Sequence, residues 1–93
     1  MWHIYILQCA DDTLYTGITT DLIRRIDEHN HSAKGAKYTR ARRPVVLVYS
    51  ESCESRSSAS SRELELKKLS RKQKLKLIQM GAEDVTEVTH CYN

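Results

Sequence analysis

The longest uninterrupted apolar run in this chain, Val45–Tyr49, has only five residues. A helix that crosses a membrane needs about 20, so the fold has to be assembled from short half-buried pieces around one core. With 93 residues there is room for one small domain whose core covers only part of its surface. Hydrophobic residues at 40% and charged residues at 29% place the chain among globular rather than disordered sequences. Residues 1–80 read as the domain and residues 81–93 as a tail packed on it or trailing from it. The start, Met1-Trp2-His3-Ile4-Tyr5, lacks a basic n-region and a cleavage site. Cys9, Cys53 and Cys91 are odd in number, far apart and without a CxxC, so neither a disulfide framework nor a structural zinc site is expected. The spacings of His29, His31, His90 and Cys91 fit no common zinc site either. The expectation is a cytoplasmic protein.

The formal net charge is +3, and its distribution says more than its size. Lys34, Lys37, Arg40, Arg42 and Arg43 fall within ten residues that contain no acid. Residues 62–76 carry seven basic groups against Glu63 and Glu65. Acids gather instead at Asp11-Asp12 and in the tail around Glu83, Asp84 and Glu87. Such asymmetry favours a polyanionic partner, nucleic acid first. The plainer alternative is a solvated basic surface.

Trp2–Cys9 is rich in aliphatic, aromatic and β-branched residues and predicts a strand. Ala10-Asp11-Asp12-Thr13 is turn chemistry, and Leu14–Ile18 is the return strand of a hairpin. Thr19 or Thr20 is the expected cap of a helix reaching about Asn30, with Asp21 in its first turn and Leu22 and Ile26 on one face. Lys34–Pro44 reads as a basic loop. Val45–Ser50 follows as a third strand, its unbroken apolar run predicting burial on both faces. A serine-rich stretch, Ser50–Ser61, leads into a helix from near Ser57 to Leu69. Ser70 and Gln73 form a capping box for a last helix, anchored by Leu75, Leu77 and Ile78 and stopped at Gly81. The order β-β-α-β-α-α predicts a small α+β domain.

Several residues along this frame carry chemistry. Tyr5 lies on the first strand and Tyr15 on the second. Arg25 and His29, four apart, share a helical face, and Glu63 sits on a helix otherwise rich in lysine and arginine. Two phenols, a guanidinium, an imidazole and a carboxylate suit phosphodiester hydrolysis. The carboxylate can hold a hard divalent cation, the guanidinium can clamp a phosphate, and a phenol or imidazole can take a proton from water. Glu63 paired with Lys67 on a solvated face is the plainer reading. Glu65 is the alternative ligand, on another face of the helix.

Tyr5 with Leu7, then Tyr15-Thr16-Gly17, then Thr20-Asp21-Leu22-x-Arg24-Arg25-Ile26-x-x-His29, resembles the GIY-YIG nuclease domain. Lys34-Gly35-Ala36-Lys37-Tyr38-Thr39-Arg40 and Glu63-x-x-x-Lys67-Lys68-Leu69-Ser70 resemble its small, stand-alone branch. The likeness runs from Trp2 to Ile78, and the order and spacing of its fragments are what make it specific. It implies a three-stranded antiparallel sheet flanked by helices, a single Mg2+ or Mn2+, and cleavage of DNA. Carried over, Glu63 is the metal ligand, Arg25 the phosphate clamp, Tyr5 and Tyr15 the motif tyrosines, and His29 the residue that assists them. Gly17 permits close backbone approach. Lys34, Lys37, Arg40, Arg42 and Lys67 become backbone contacts, with Tyr38 stacking on a base. His3 replaces the first glycine of the motif. Ile18 follows Gly17 where some members have a basic residue, and Asn93 is too terminal to match the asparagine near the domain's end.

Free tyrosine has a pKa near 10 and histidine near 6.5, so roughly one tyrosine in a thousand is ionised at neutral pH. Tyr5, Tyr15 and His29 all remain candidates for the general base. The hairpin supplies a geometric condition. A two-residue loop at Asp11-Asp12 pairs odd-numbered with even-numbered residues and sends Tyr5 and Tyr15 to opposite faces. An odd loop, such as Asp11-Asp12-Thr13, or a bulge puts them together, and that is the expectation.

The reading that follows is a metal-dependent DNA endonuclease of low sequence specificity, since one loop and one basic helix read few base edges. Single-stranded or structured DNA is expected over plain duplex, and a monomer over an oligomer. Arg24 is the expected dispensable neighbour of Arg25. The competing functions are a non-catalytic nucleic-acid-binding module on the same fold and a protein-interaction adaptor using the serine-rich segment and the tail.

Overall fold

The computed structural model describes residues 1–84. Strands β1 (Trp2–Gln8), β2 (Leu14–Thr19) and β3 (Val46–Cys53) form one antiparallel sheet in the order β2-β1-β3. Helices α1 (Leu22–His31), α2 (Lys37–Arg40), α3 (Arg56–Lys68) and α4 (Arg71–Asp84) complete the α+β domain. The single turn of α2 lies inside the basic segment that read as loop.

The alternation of β1 divides the core in two. Ile4 and Ile6 face one side and pack with Ala59 and Leu66 of α3 and with Leu77 and Ile78 of α4. Tyr5 and Leu7 face the other and pack with Val45 and with Leu22 and Ile26 of α1. The strand buried on both faces is therefore β1, not β3. As an edge strand, β3 has a neighbour on one side only, and Val46 is 56% exposed. Its apolar run has a different cause. A bulge opposite Ile6 and Leu7 pairs Ile6 with Tyr49 and Leu7 with Leu47. Two successive residues, Val48 and Tyr49, then face the α3 layer.

Three local expectations are corrected, and the helix start expected near Ser57 holds. Asp21 caps α1, its side chain accepting from the Arg24 N–H at 3.1 Å. Thr19 instead accepts the Asp21 N–H at 3.1 Å. The third helix begins one residue before Ser57, with Ser55 and Ser58 as its capping box. Leu75 is 44% exposed and anchors nothing, whereas Leu77 and Ile78 do pack. Gly81 does not stop α4, which runs on to Asp84. A helical glycine costs only about 1 kcal/mol, and a stop needs it in the left-handed region. The Ser70–Gln73 capping box is present, with bonds of 2.9 and 3.2 Å. Glu87, His90, Cys91 and Asn93 lie outside the described residues.

The hairpin has the odd loop that the site requires. Tyr5 pairs with Gly17 and Leu7 with Tyr15, so both tyrosines face α1. The Cys9 N–H donates to the Thr13 carbonyl at 2.8 Å, which encloses Ala10, Asp11 and Asp12. The loop thus sits one residue earlier than Asp11–Thr13. Its last residue takes a positive φ of 67°, at Asp12. Aspartate tolerates that region, and β-branched Thr13 would be strained there.

Candidate active site

Tyr5 lies directly across from Gly17, and its phenol occupies the space where a side chain at 17 would stand. A Cβ there would meet the Tyr5 Oη at 2.5 Å and Cζ at 2.6 Å. Glycine at this position lets the ring lie flat over β2, beside Tyr15 at 6.5 Å between centroids. His29 comes down from α1 on the stripe of Leu22 and Ile26. Its ring meets Tyr5 at 5.7 Å and Tyr15 at 5.2 Å, edge-on to both. The Tyr5 Oη and His29 Nε2 are 2.8 Å apart, and His29 Nδ1 and Thr39 Oγ1 are 2.7 Å apart. Tyr5, His29 and Thr39 are all fully buried.

Burial dominates the electrostatics of this group. It pushes the Tyr5 phenol up to about 12, against the neighbouring Arg25 guanidinium and with a small addition from Glu63. It holds His29 down at about 4, helped by Arg25 and opposed by Glu28. The resting pair is neutral, because both phenolate and imidazolium are disfavoured in low dielectric. The consequence for stability has a definite sign. Native His29 takes its proton near pH 4 and the unfolded chain near 6.5. Between those values the unfolded state binds more protons, so stability declines as pH falls through that window. Urea unfolding of the wild type from pH 7 to 4 should show the decline, and His29→Gln should flatten it. Equal pH dependence in the two proteins would contradict the assignment.

Arg25 projects from the same helix toward the tyrosines. Its Nη1 donates to Glu28 Oε1 at 2.9 Å and to the Lys34 carbonyl at 2.8 Å. No such bond engages Nη2 or Nε among the described residues. Its side chain is 25% exposed against 64% for Arg24, whose nearest carboxylate oxygen, on Glu28, is 3.9 Å away. The two adjacent arginines therefore differ as the helix face predicts.

Glu63 arrives from the other layer. Ala59 and Leu66 point α3 into the sheet, and Arg62 reaches back to β3, holding Glu51 with two bonds of 3.0 Å. The next residue on a helix is turned by about 100°, so Glu63 does not share the Arg62 contact with β3. Its side chain is 20% exposed, with Oε2 3.3 Å from the Lys67 Nζ. Its charge is close enough to act on the Tyr5 phenol. Glu65 turns outward onto Arg62 at 2.9 Å.

Two phenols, a buried imidazole and a largely buried guanidinium on one sheet face, with a carboxylate of α3 whose charge acts on the Tyr5 phenol, coincide with a known pattern. The GIY-YIG catalytic domain matches residues 1–76. The chain belongs to the GIY-YIG family. It is 64% identical over 77 residues to a UPF0213 protein of Desulfotalea psychrophila, covering 83% of this chain and 70% of that protein. It is 56% identical over 77 residues to a UPF0213 protein of Staphylococcus haemolyticus, covering 83% and 93%. The solution structure of the UPF0213 protein of Bacillus halodurans is 43% identical, covers 96% of both chains and superposes with a TM-score of 0.58. The family is one of nucleases, which makes DNA its class of substrate.

The donor set of this GIY-YIG domain fits a hard divalent ion held mostly by water and phosphate. Among the described residues no three histidine, cysteine or acidic side chains gather into a cage. Mg2+ keeps several waters and commonly binds through one or two carboxylates plus substrate phosphates. Glu63 offers one such carboxylate, 20% exposed and paired with Lys67.

The expected DNA contacts divide into two groups. Tyr38 stacks on Tyr15 at 5.9 Å and 27°, and the Arg42 Cζ lies 3.9 Å over its ring. Arg42 also pairs with Asp11 at 3.0 Å and donates to the Tyr38 carbonyl at 2.9 Å. These two form part of the site wall. Lys34, Lys37 and Arg40 are exposed. Lys67 is half exposed and faces Glu63. Gly17 serves Tyr5 rather than an approaching backbone.

Sequence reasoning missed the residues that hold His29 in place. Arg43, counted there as one more basic group, donates to the His29, Ser32 and Glu28 carbonyls at 2.5, 2.6 and 3.3 Å. It satisfies acceptors that the end of α1 leaves open. Asn30 exchanges two hydrogen bonds with the Val45 backbone, at 3.0 and 2.7 Å. Thr39 lay in an apparent loop. No periodicity marks these contacts, because each joins segments distant in sequence.

Proposed function

We propose that this chain is a metal-dependent DNA endonuclease of low sequence specificity, acting on single-stranded or structured DNA. The observation that carries the reading is the 2.8 Å contact between the Tyr5 phenol and His29, buried beside Arg25 and under the influence of Glu63. His29 has no exposed surface, and both of its ring nitrogens are engaged. A proton from water therefore reaches it through Tyr5, which favours a phenol–imidazole pair over either group alone. Tyr15 is the more accessible phenol and lines the same pocket.

In the proposed reaction the water oxygen bonds to phosphorus while its proton passes to Tyr5 and the Tyr5 proton passes to His29. The bond from phosphorus to the leaving sugar oxygen breaks, and that oxygen takes a proton from solvent. Arg25 holds the phosphate through the nitrogens it does not use for Glu28 and Lys34. Glu63 would hold Mg2+ or Mn2+, which supplies charge neutralisation and a more acidic bound water. Lys34, Lys37 and Arg40 offer phosphate contacts, which position DNA without reading its sequence. Tyr38 is already flanked by Tyr15 and Arg42, so base stacking is the weakest part of the case for single strands.

The test is cleavage of matched single-stranded, duplex and branched DNA with Mg2+, Mn2+ or EDTA. Metal-dependent nicking is expected, fastest on single-stranded or branched DNA and without a cutting motif. Salt-sensitive binding with no cleavage in either metal would leave a non-catalytic module, and salt-insensitive binding would favour the adaptor.

A further inference from the structure

We propose that Thr39 is a positioning residue that sets the tautomer of His29, so that the buried chain of hydrogen bonds runs one way. Tyr5 O–H donates to His29 Nε2, His29 Nδ1–H donates to Thr39 Oγ1, and Thr39 O–H donates to the Ala36 carbonyl. The tautomer stands on geometry alone, and its role in cleavage rests on the reading above.

A neutral imidazole has one N–H and one acceptor nitrogen, so only two directions are self-consistent. In the forward direction every proton has an acceptor. The Thr39 Oγ1 lies 3.0 Å from the Ala36 oxygen. That carbonyl also accepts the Thr39 and Arg40 N–H groups of α2 at 3.1 and 3.0 Å, which pins it in place. In the reverse direction Thr39 would donate to Nδ1, and Nε2–H would donate to the Tyr5 oxygen. The phenolic proton would then need another acceptor, and among the described residues Tyr5 Oη meets none besides Nε2. Of the groups that act on it, the Arg25 guanidinium has only donors, and neither Tyr15 nor Glu63 makes a hydrogen bond to it. A buried phenol proton facing a cation is costly, and Tyr5 is only 1% exposed. The forward direction is the one in which every proton of the chain has an acceptor within the protein.

The consequence concerns the proton path. With Nδ1–H tied to Thr39, Nε2 is kept free of a proton and can take the one from Tyr5. With the other tautomer, Nε2 has no lone pair to receive it.

The experiment is long-range proton–nitrogen correlation NMR on the 15N-labelled chain at pH 7, with Thr39→Val and Thr39→Ser beside the wild type and cleavage measured on the same samples. The wild type should show a protonated Nδ1 and an unprotonated Nε2 at His29. Thr39→Val, nearly isosteric, should lose that pattern and slow cleavage by ~10- to 100-fold at temperatures where it is folded. Thr39→Ser should restore both. A protonated Nε2 in the wild type would overturn the proposal, and so would a Thr39→Val protein with an unchanged tautomer and unchanged cleavage. If the tautomer responds as expected but no sample cuts DNA, the assignment of Thr39 stands and the nuclease reading fails.

Discussion

Glu63→Gln should lower the maximal cleavage rate by at least ~10³-fold, equivalent to about 4 kcal/mol of transition-state stabilisation, without weakening DNA binding. The substitution keeps the shape of the side chain and removes the charge that a hard cation needs. It also releases the Lys67 ammonium, which lies 3.3 Å from the carboxylate. Freed of its partner, that ammonium is available to phosphate, so affinity should hold or rise. Loss of cleavage with retained binding separates a catalytic role from a binding one in a single protein. Glu65→Gln is the control. Its carboxylate is 65% exposed and turned to Arg62, and it should change the rate by no more than about two-fold. If Glu63→Gln cuts as fast as the wild type, the metal ligand lies elsewhere.

Arg25→Ala should cost ~10² to 10³ in cleavage, the range typical of a donor aimed at developing negative charge. Arg24→Ala should stay within about two-fold. The two residues are adjacent, carry the same charge and sit on the same helix, so a general electrostatic effect would move both alike. What separates them is direction. Arg25 is three-quarters buried and borders Tyr5, whereas Arg24 stands in solvent. Arg25→Lys should rescue only part of the loss, because an ammonium cannot reproduce the guanidinium fork. Unfolding midpoints of the variants belong beside the rates, since Arg25 also ties α1 to the Lys34 carbonyl. Equal losses from Arg24→Ala and Arg25→Ala would contradict the clamp.

The hairpin shows how far local chemistry reaches. An even loop would have separated Tyr5 from Tyr15, and the requirement that they share a face was enough to expect an odd one. The residue that closes the loop was misjudged because the left-handed position went to Asp12, a choice between two neighbours that hinges on the β-branch of Thr13. The third strand failed for a different reason. Five consecutive apolar residues look doubly buried, yet a bulge explains them on an edge strand, and no local pattern distinguishes the two cases.

His29 marks the boundary most clearly. Its place on one helix face with Arg25 was legible, and so was its candidacy for proton transfer. Its complete burial was not, since that depends on β1 lying at the centre of the sheet and on Arg43 and Asn30 closing the end of α1. The same holds for Glu63, whose influence on the Tyr5 phenol depends on how α3 packs on the sheet.

The sequence by itself determined the order of the strands and of the three longer helices, the Ser70–Gln73 cap of the last one, and the set of side chains proposed to act on a phosphodiester. Those depend on interactions a few residues apart. Tertiary structure alone decided which strand is central, which histidine nitrogen meets which hydroxyl, and that the charge of Glu63 acts on the Tyr5 phenol. Those are set by packing between segments tens of residues apart, where a shift of one register or one helical turn would redirect every group.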